Sequence, residues 1–140
     1  LHTLFPYTTL FRSLQTVSLH PDNEFFTTNI NLENGTKLKL SDFVTVDKSL
    51  TDSFKNGTYI TPATSVNNKY LQSQVISYIK SMHDTTLIND FNWRDSSLPG
   101  CSYLTKNSIG ISASLTYALG NHAEFEINLK NVNNNICLFH

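Results

Sequence analysis

The sequence predicts an α+β domain, an antiparallel sheet of about five strands covered on one face by one main helix. Three observations predict it. Apolar and polar side chains alternate with period two near the start and again through the last third. Between them Leu71, Val75, Tyr78, Ile79 and Met82 form one stripe at helical spacing. The order is therefore two strands, a helix, then three strands, and the first two are joined by an Asn-Gly turn signal.

The elements follow in order. Glu24 to Leu32 reads as a strand, with Phe26, Thr28, Ile30 and Leu32 on one face and Phe25, Thr27, Asn29 and Asn31 on the other. Asn34-Gly35 suits a type I′ hairpin turn, whose two central residues need φ > 0. Thr36 to Leu40 is the return strand, Leu38 and Leu40 inward, Lys37 and Lys39 outward. Ser41 and Asp42 are suited to cap a helical turn beginning at Phe43. Val46, Leu50 and Phe54 at i, i+4 and i+8 predict a helix over 45–56, stopped by Asn56-Gly57. The main helix follows Asn67-Asn68 and stops near His83-Asp84. Leu87, Ile88, Phe91 and Trp93 are an apolar cluster, read as one further helical turn. Cys101 to Thr105 is a short strand and Ile109 to Tyr117 a longer one, with Ile109, Ile111, Ala113, Leu115 and Tyr117 on one face. After a turn around Gly120 the last strand places Ala123, Phe125, Ile127 and Leu129 inward and Glu124, Glu126 and Asn128 outward.

Composition narrows the function classes. The 140 residues are one domain's worth, with 39% hydrophobic and only 15% charged residues. Ten Lys and Arg against eleven Asp and Glu leave a formal net charge of −1, which excludes a dedicated basic surface for nucleic acid. No apolar run approaches the roughly 20 residues that span a bilayer. Two cysteines build neither a disulfide scaffold nor a four-cysteine zinc site.

The first thirteen residues are set apart. Thr3 to Ser13, TLFPYTTLFRS, resembles the conceptual translation of a common short-read sequencing adapter, without a mismatch. Residues 1–13 are therefore expected to be an artefact outside the fold, as an expression tag would be. The expected domain spans 14–130, truncated at its N-terminus, with 131–140 as a tail. A signal peptide or membrane anchor is not readable from this sequence.

Three patches, in order, resemble one family. The first is His20-Pro21, then Thr28 to Gly35, then Leu38-Lys39-Leu40-Ser41-Asp42-Phe43. The second is the helix carrying Tyr70-Leu71 and Ile79. The third is Tyr103 to Ile111 with Ala118-Leu119-Gly120-Asn121-His122-Ala123-Glu124-Phe125-Glu126-Ile127. Together they resemble the C-terminal domain of unknown function of RsiV-type, lysozyme-sensing anti-sigma factors and related bacterial envelope proteins. The resemblance covers about His20 to Lys130. It implies an extracytoplasmic, non-enzymatic binding or accessory domain whose partner is a protein such as lysozyme, or peptidoglycan. The alternative it implies is the auxiliary module of a larger envelope enzyme, such as a peptidoglycan deacetylase. Tyr117 stands where many relatives carry His, and Asn121 where many carry Asp.

Each candidate for chemistry has a simpler counterpart. His20 in its loop is read as a structural histidine before a metal ligand. His122 and Glu124 share a strand face at i, i+2, but two ligands do not make a metal site, and a solvated sheet face is the simpler reading. Trp93 is either a sugar-stacking platform or, more simply, the edge of the core beside Phe91. Cys101 and Cys137 are either a disulfide or two half-buried thiols. No P-loop, G-x-S-x-G elbow or H-E-x-x-H occurs, so no cofactor, metal or catalytic residue is assigned. The candidate binding surface comprises Tyr117, Asn121, His122, Glu124, Trp93 and His20.

Overall fold

The computed structural model describes residues 8–9, 27–31, 34–60, 69–96 and 100–132. It is an α+β structure, as the sequence predicts. The main sheet has four antiparallel strands in the order β4-β7-β6-β5, with β4 Thr58–Ile60, β5 Ser102–Leu104, β6 Ser108–Ser114 and β7 His122–Asn128. Its centre is the β6–β7 ladder, where Ile109, Ile111 and Ala113 stand opposite Ile127, Phe125 and Ala123. All six are buried. They form one face because side chains two apart on a strand share a side.

Three helices contribute to the same core: α2 Lys48–Lys55, α3 Lys69–Ser81 and α4 Asp84–Ser96. Phe54 of α2 lies with its ring 4.9 Å from Phe125 and 5.1 Å from Phe91 of α4, the latter edge-on. Such tilted geometry suits the ring quadrupoles. Val75 and Ile79 of α3 and Leu87 of α4 join the same cluster. Three helices thus stand where one main helix is expected to cover the sheet: α2 falls within the helix read over 45–56, and α4 extends the single turn read around Leu87 to Trp93. Residues 84–96 escaped notice as a full helix because their buried positions, Leu87, Phe91 and Asp95, include a carboxylate, which breaks the apolar period.

Strand β4 was also not anticipated; three residues are too few to display alternation. It pairs with β7 through Thr58↔Glu126, Tyr59↔Phe125 and Ile60↔Glu124. Gly57 permits this approach, since a Cβ there would sit 2.8 Å from the Glu126 carbonyl.

A smaller sheet runs β1-β2-β3, with β1 Thr8–Thr9, β2 Thr28–Ile30 and β3 Lys37–Leu38. The buried side of β2 carries the polar residues Thr27 and Asn29, while Thr28 and Ile30 are half-buried. Thr27 Oγ1 donates to the Gly100 carbonyl at 3.1 Å and Asn29 Nδ2 to the Ser102 carbonyl at 2.9 Å, tying this sheet to the entrance of β5. The β2–β3 connection is wider than a two-residue turn. Asn31 N donates to the Thr36 carbonyl and Gly35 N to the Asn31 carbonyl, and Gly35 takes φ 71° while Asn34 does not have positive φ. The Asn34 carboxamide instead accepts from Thr36 N and Oγ1.

Thr8 and Thr9 pair with Asn29 and Thr28, so two residues of the leading segment run beside β2. Edge pairing of this kind uses main-chain groups that every sequence carries. The rest of 1–13 lies outside the described residues.

Helix α1, Leu40–Phe43, starts earlier than expected. Asp42 accepts from Lys39 N at 2.7 Å. Ser41 does not cap the turn; its hydroxyl and amide both donate to Asp95 Oδ2, and Leu40 N donates to Asp95 Oδ1.

Candidate functional site

The β6–β7 connection is built almost wholly from backbone hydrogen bonds. Leu119 N and Asn121 N donate to the Thr116 carbonyl, Gly120 N to Tyr117, His122 N to Gly120, and Leu115 N to Asn121 at 2.7 Å. The chain leaves the strand after Ser114 and turns through a 3-10 segment, Tyr117–Leu119, so Tyr117 does not continue the apolar face of β6. It is 60% exposed. Gly120 and Asn121 both take positive φ, 98° and 68°. Asn tolerates the left-handed region through its short polar side chain, a property Asp shares.

Immediately after this turn His122 and Glu124 enter β7 and are 9% and 2% exposed. This corrects the reading of Glu124 as outward and of the pair as solvated. His122 Nε2 lies 3.3 Å from Glu124 Oε1. Across the ladder Ser114 stands opposite His122 and Ser112 opposite Glu124. Both hydroxyls are already engaged: Ser114 Oγ donates to Asp90 at 2.7 Å, and Arg94 Nη1 donates to the Ser112 carbonyl at 2.8 Å and to its Oγ at 3.2 Å. Burial, and then the charge of Glu124, push the Tyr59 phenol above its ordinary value. Farther along the same face Tyr103 lies over Gly110, where a Cβ would sit 2.0 Å from the ring. Its hydroxyl donates to Glu126 at 2.9 Å, and Ser108 Oγ to the other oxygen at 3.1 Å.

Trp93 is 67% exposed on α4, so it is not the edge of the core. It follows by one helical turn Asp90, which holds Ser114, three residues before Tyr117. Cys101 is a free, fully buried thiol, pushed up to about 12 by burial, with Arg94 acting in the opposite direction. Cys137 and His20 lie outside the described residues.

Sequence reasoning missed Asp95, whose buried carboxylate organises α1; a lone Asp at the end of a polar helix gives no such signal. It also missed a polar groove of about 590 Å³ between α2 and the end of β7, lined among others by Lys48, Asp52, Asn56, Glu126 and Asn128. Among the described residues no three His, Cys, Asp or Glu side chains are grouped to hold a metal ion, and no helix is long and apolar enough to cross a membrane. Comparison of the chain with protein-family models, with curated proteins and with solved structures gave no match.

Proposed function

We infer that this chain is a non-enzymatic binding domain of a bacterial cell-envelope protein, acting outside the cytoplasm. The observation that carries the reading is the β6–β7 turn: an exposed Tyr117 presented by a backbone fixed through five hydrogen bonds. A contact residue held in this way loses little freedom on binding, and Tyr offers a large amphipathic surface for few rotatable bonds. The neighbouring His122–Glu124 pair supports binding over turnover, because it is closed in and the two hydroxyls opposite it serve Arg94 and Asp90. A nucleophile needs a base within hydrogen-bond reach and access to substrate. Location and partner follow the resemblance to RsiV-type domains: a protein of the lysozyme type, or peptidoglycan.

The test is co-sedimentation with peptidoglycan sacculi and capture on immobilised lysozyme. Binding to one of them should fall by about tenfold or more in Tyr117→Ala, as for a central aromatic contact. Retention by neither support contradicts the reading.

A further inference from the structure

We propose that Asn34 is a self-modifying residue, converted by its neighbour Gly35 to aspartate and isoaspartate, while the fold holds the second Asn-Gly pair, Asn56-Gly57, unreactive. The modification is independent of what the domain binds. Asparagine is chemically labile, and most so before glycine, where no Cβ hinders the approach of the next amide. The sequence carries two such pairs, each within the same tripeptide, Asn-Gly-Thr. Any difference between them in the folded chain therefore comes from their surroundings.

In the reaction the Gly35 nitrogen loses its proton to solvent base and attacks Asn34 Cγ. A C–N bond forms, and negative charge develops on Oδ1. The Cγ–Nδ2 bond then breaks, the departing nitrogen takes up a proton and leaves as ammonia, and a succinimide ring remains. Water opens the ring at either carbonyl. One opening restores the main chain with an aspartate side chain; the other routes the main chain through the side chain as isoaspartate. The net change is asparagine plus water to carboxylic acid plus ammonia.

Two features separate the sites. Asn34 Oδ1 accepts from Thr36 N at 3.0 Å and from Thr36 Oγ1 at 2.7 Å. Donors already aimed at the oxygen that gains charge stabilise the addition step. Room is the second feature. Asn34, Gly35 and Thr36 are exposed, and nothing lies within 4 Å of where a Gly35 Cβ would stand, so the main chain is free to turn into the ring. At the other site the leaving group itself is held: Asn56 Nδ2 donates to the Asp52 carbonyl at 2.8 Å, tying the carboxamide back to α2. Gly57 lies against β7, where a Cβ would sit 2.8 Å from the Glu126 carbonyl, so its backbone has no space to rotate. Gly35 N donates to the Asn31 carbonyl and Gly57 N to the Phe54 carbonyl. An amide bond must therefore open at either site, and this does not separate them.

The full chain would be incubated at mildly alkaline pH, folded and in urea, and digested for mass spectrometry with electron-transfer fragmentation. That readout places each conversion and distinguishes the two products. In the folded chain Asn34 should convert about tenfold or more faster than Asn56, whereas in urea the two should convert alike. Thr36→Val removes one donor to Oδ1 and should slow the folded reaction at Asn34 about threefold or more, with the urea rate unchanged. Thr36→Ser keeps the hydroxyl and should retain the folded rate. Equal folded rates at the two sites, an Asn34 that stays intact, or a folded rate unchanged by Thr36→Val would overturn the proposal.

Discussion

At the scale of single residues, the consequential side chains are those buried with their polar groups. Asp95 closes the N-terminus of α1 with three acceptor contacts, a second helix doing what a local cap usually does. Asp95→Ala leaves two amides and a hydroxyl unpaired, and should cost roughly 2–3 kcal/mol in urea unfolding. Cys101 makes a chemical prediction. A thiol pushed up to about 12 is neutral at physiological pH, so it should resist Ellman's reagent in the folded chain and react on unfolding. Its folded value is raised, so the folded state binds the proton more tightly. The associated stability is complete below about pH 9 and is lost as pH rises toward 12. Flat stability between pH 9 and 11 in the wild type and Cys101→Ala alike would contradict this assignment. The free thiol is one of the two readings the sequence offers for Cys101, whereas nothing in the sequence marks Asp95, which looks like any polar residue near a helix end.

At the scale of elements, periodicity was legible wherever burial followed it. The β6–β7 ladder lies where alternation places it as far as Ser114, and of the helical stripe Val75 and Ile79 are buried while Tyr78 is exposed. Where a buried position is polar the pattern failed. Thr27, just before β2, and Asn29 within it are buried while donating to the Gly100 and Ser102 carbonyls, and Glu124 is buried in β7 beside His122, so burial at these sites does not follow apolar type. The hairpin signal at Asn34-Gly35 marked the right place, and only Gly35 supplies the positive φ. Nothing lies near its absent Cβ, so Gly35→Val should cost about 1–3 kcal/mol from backbone strain alone. An unchanged denaturation midpoint would contradict that geometry. The α2–α3–α4 junction is tied by Asp84, whose carboxyl is held down to about 2 by Lys55 and then Lys48. A depressed carboxyl stabilises above its unfolded value of 3.8 and ceases to as pH falls through about 2. Asp84→Asn should remove that part of the acid-unfolding profile.

At the scale of the whole molecule, the fold class was legible because class needs only the order and type of elements. The candidate surface was legible in part. Tyr117 and Trp93 are exposed and Asn121 half-buried, while His122 and Glu124 are buried in β7. Deleting residues 1–13 should change stability by no more than about 1 kcal/mol, the net worth of a short edge pairing. A cooperative loss of folding would make that segment part of the domain. The central claim, binding without turnover, is tested most directly by isothermal titration calorimetry of the purified chain with lysozyme and with soluble peptidoglycan fragments, with and without zinc. The account predicts a saturable isotherm with one of them that returns to baseline after each injection. A sustained heat of turnover that vanishes in His122→Ala would contradict it.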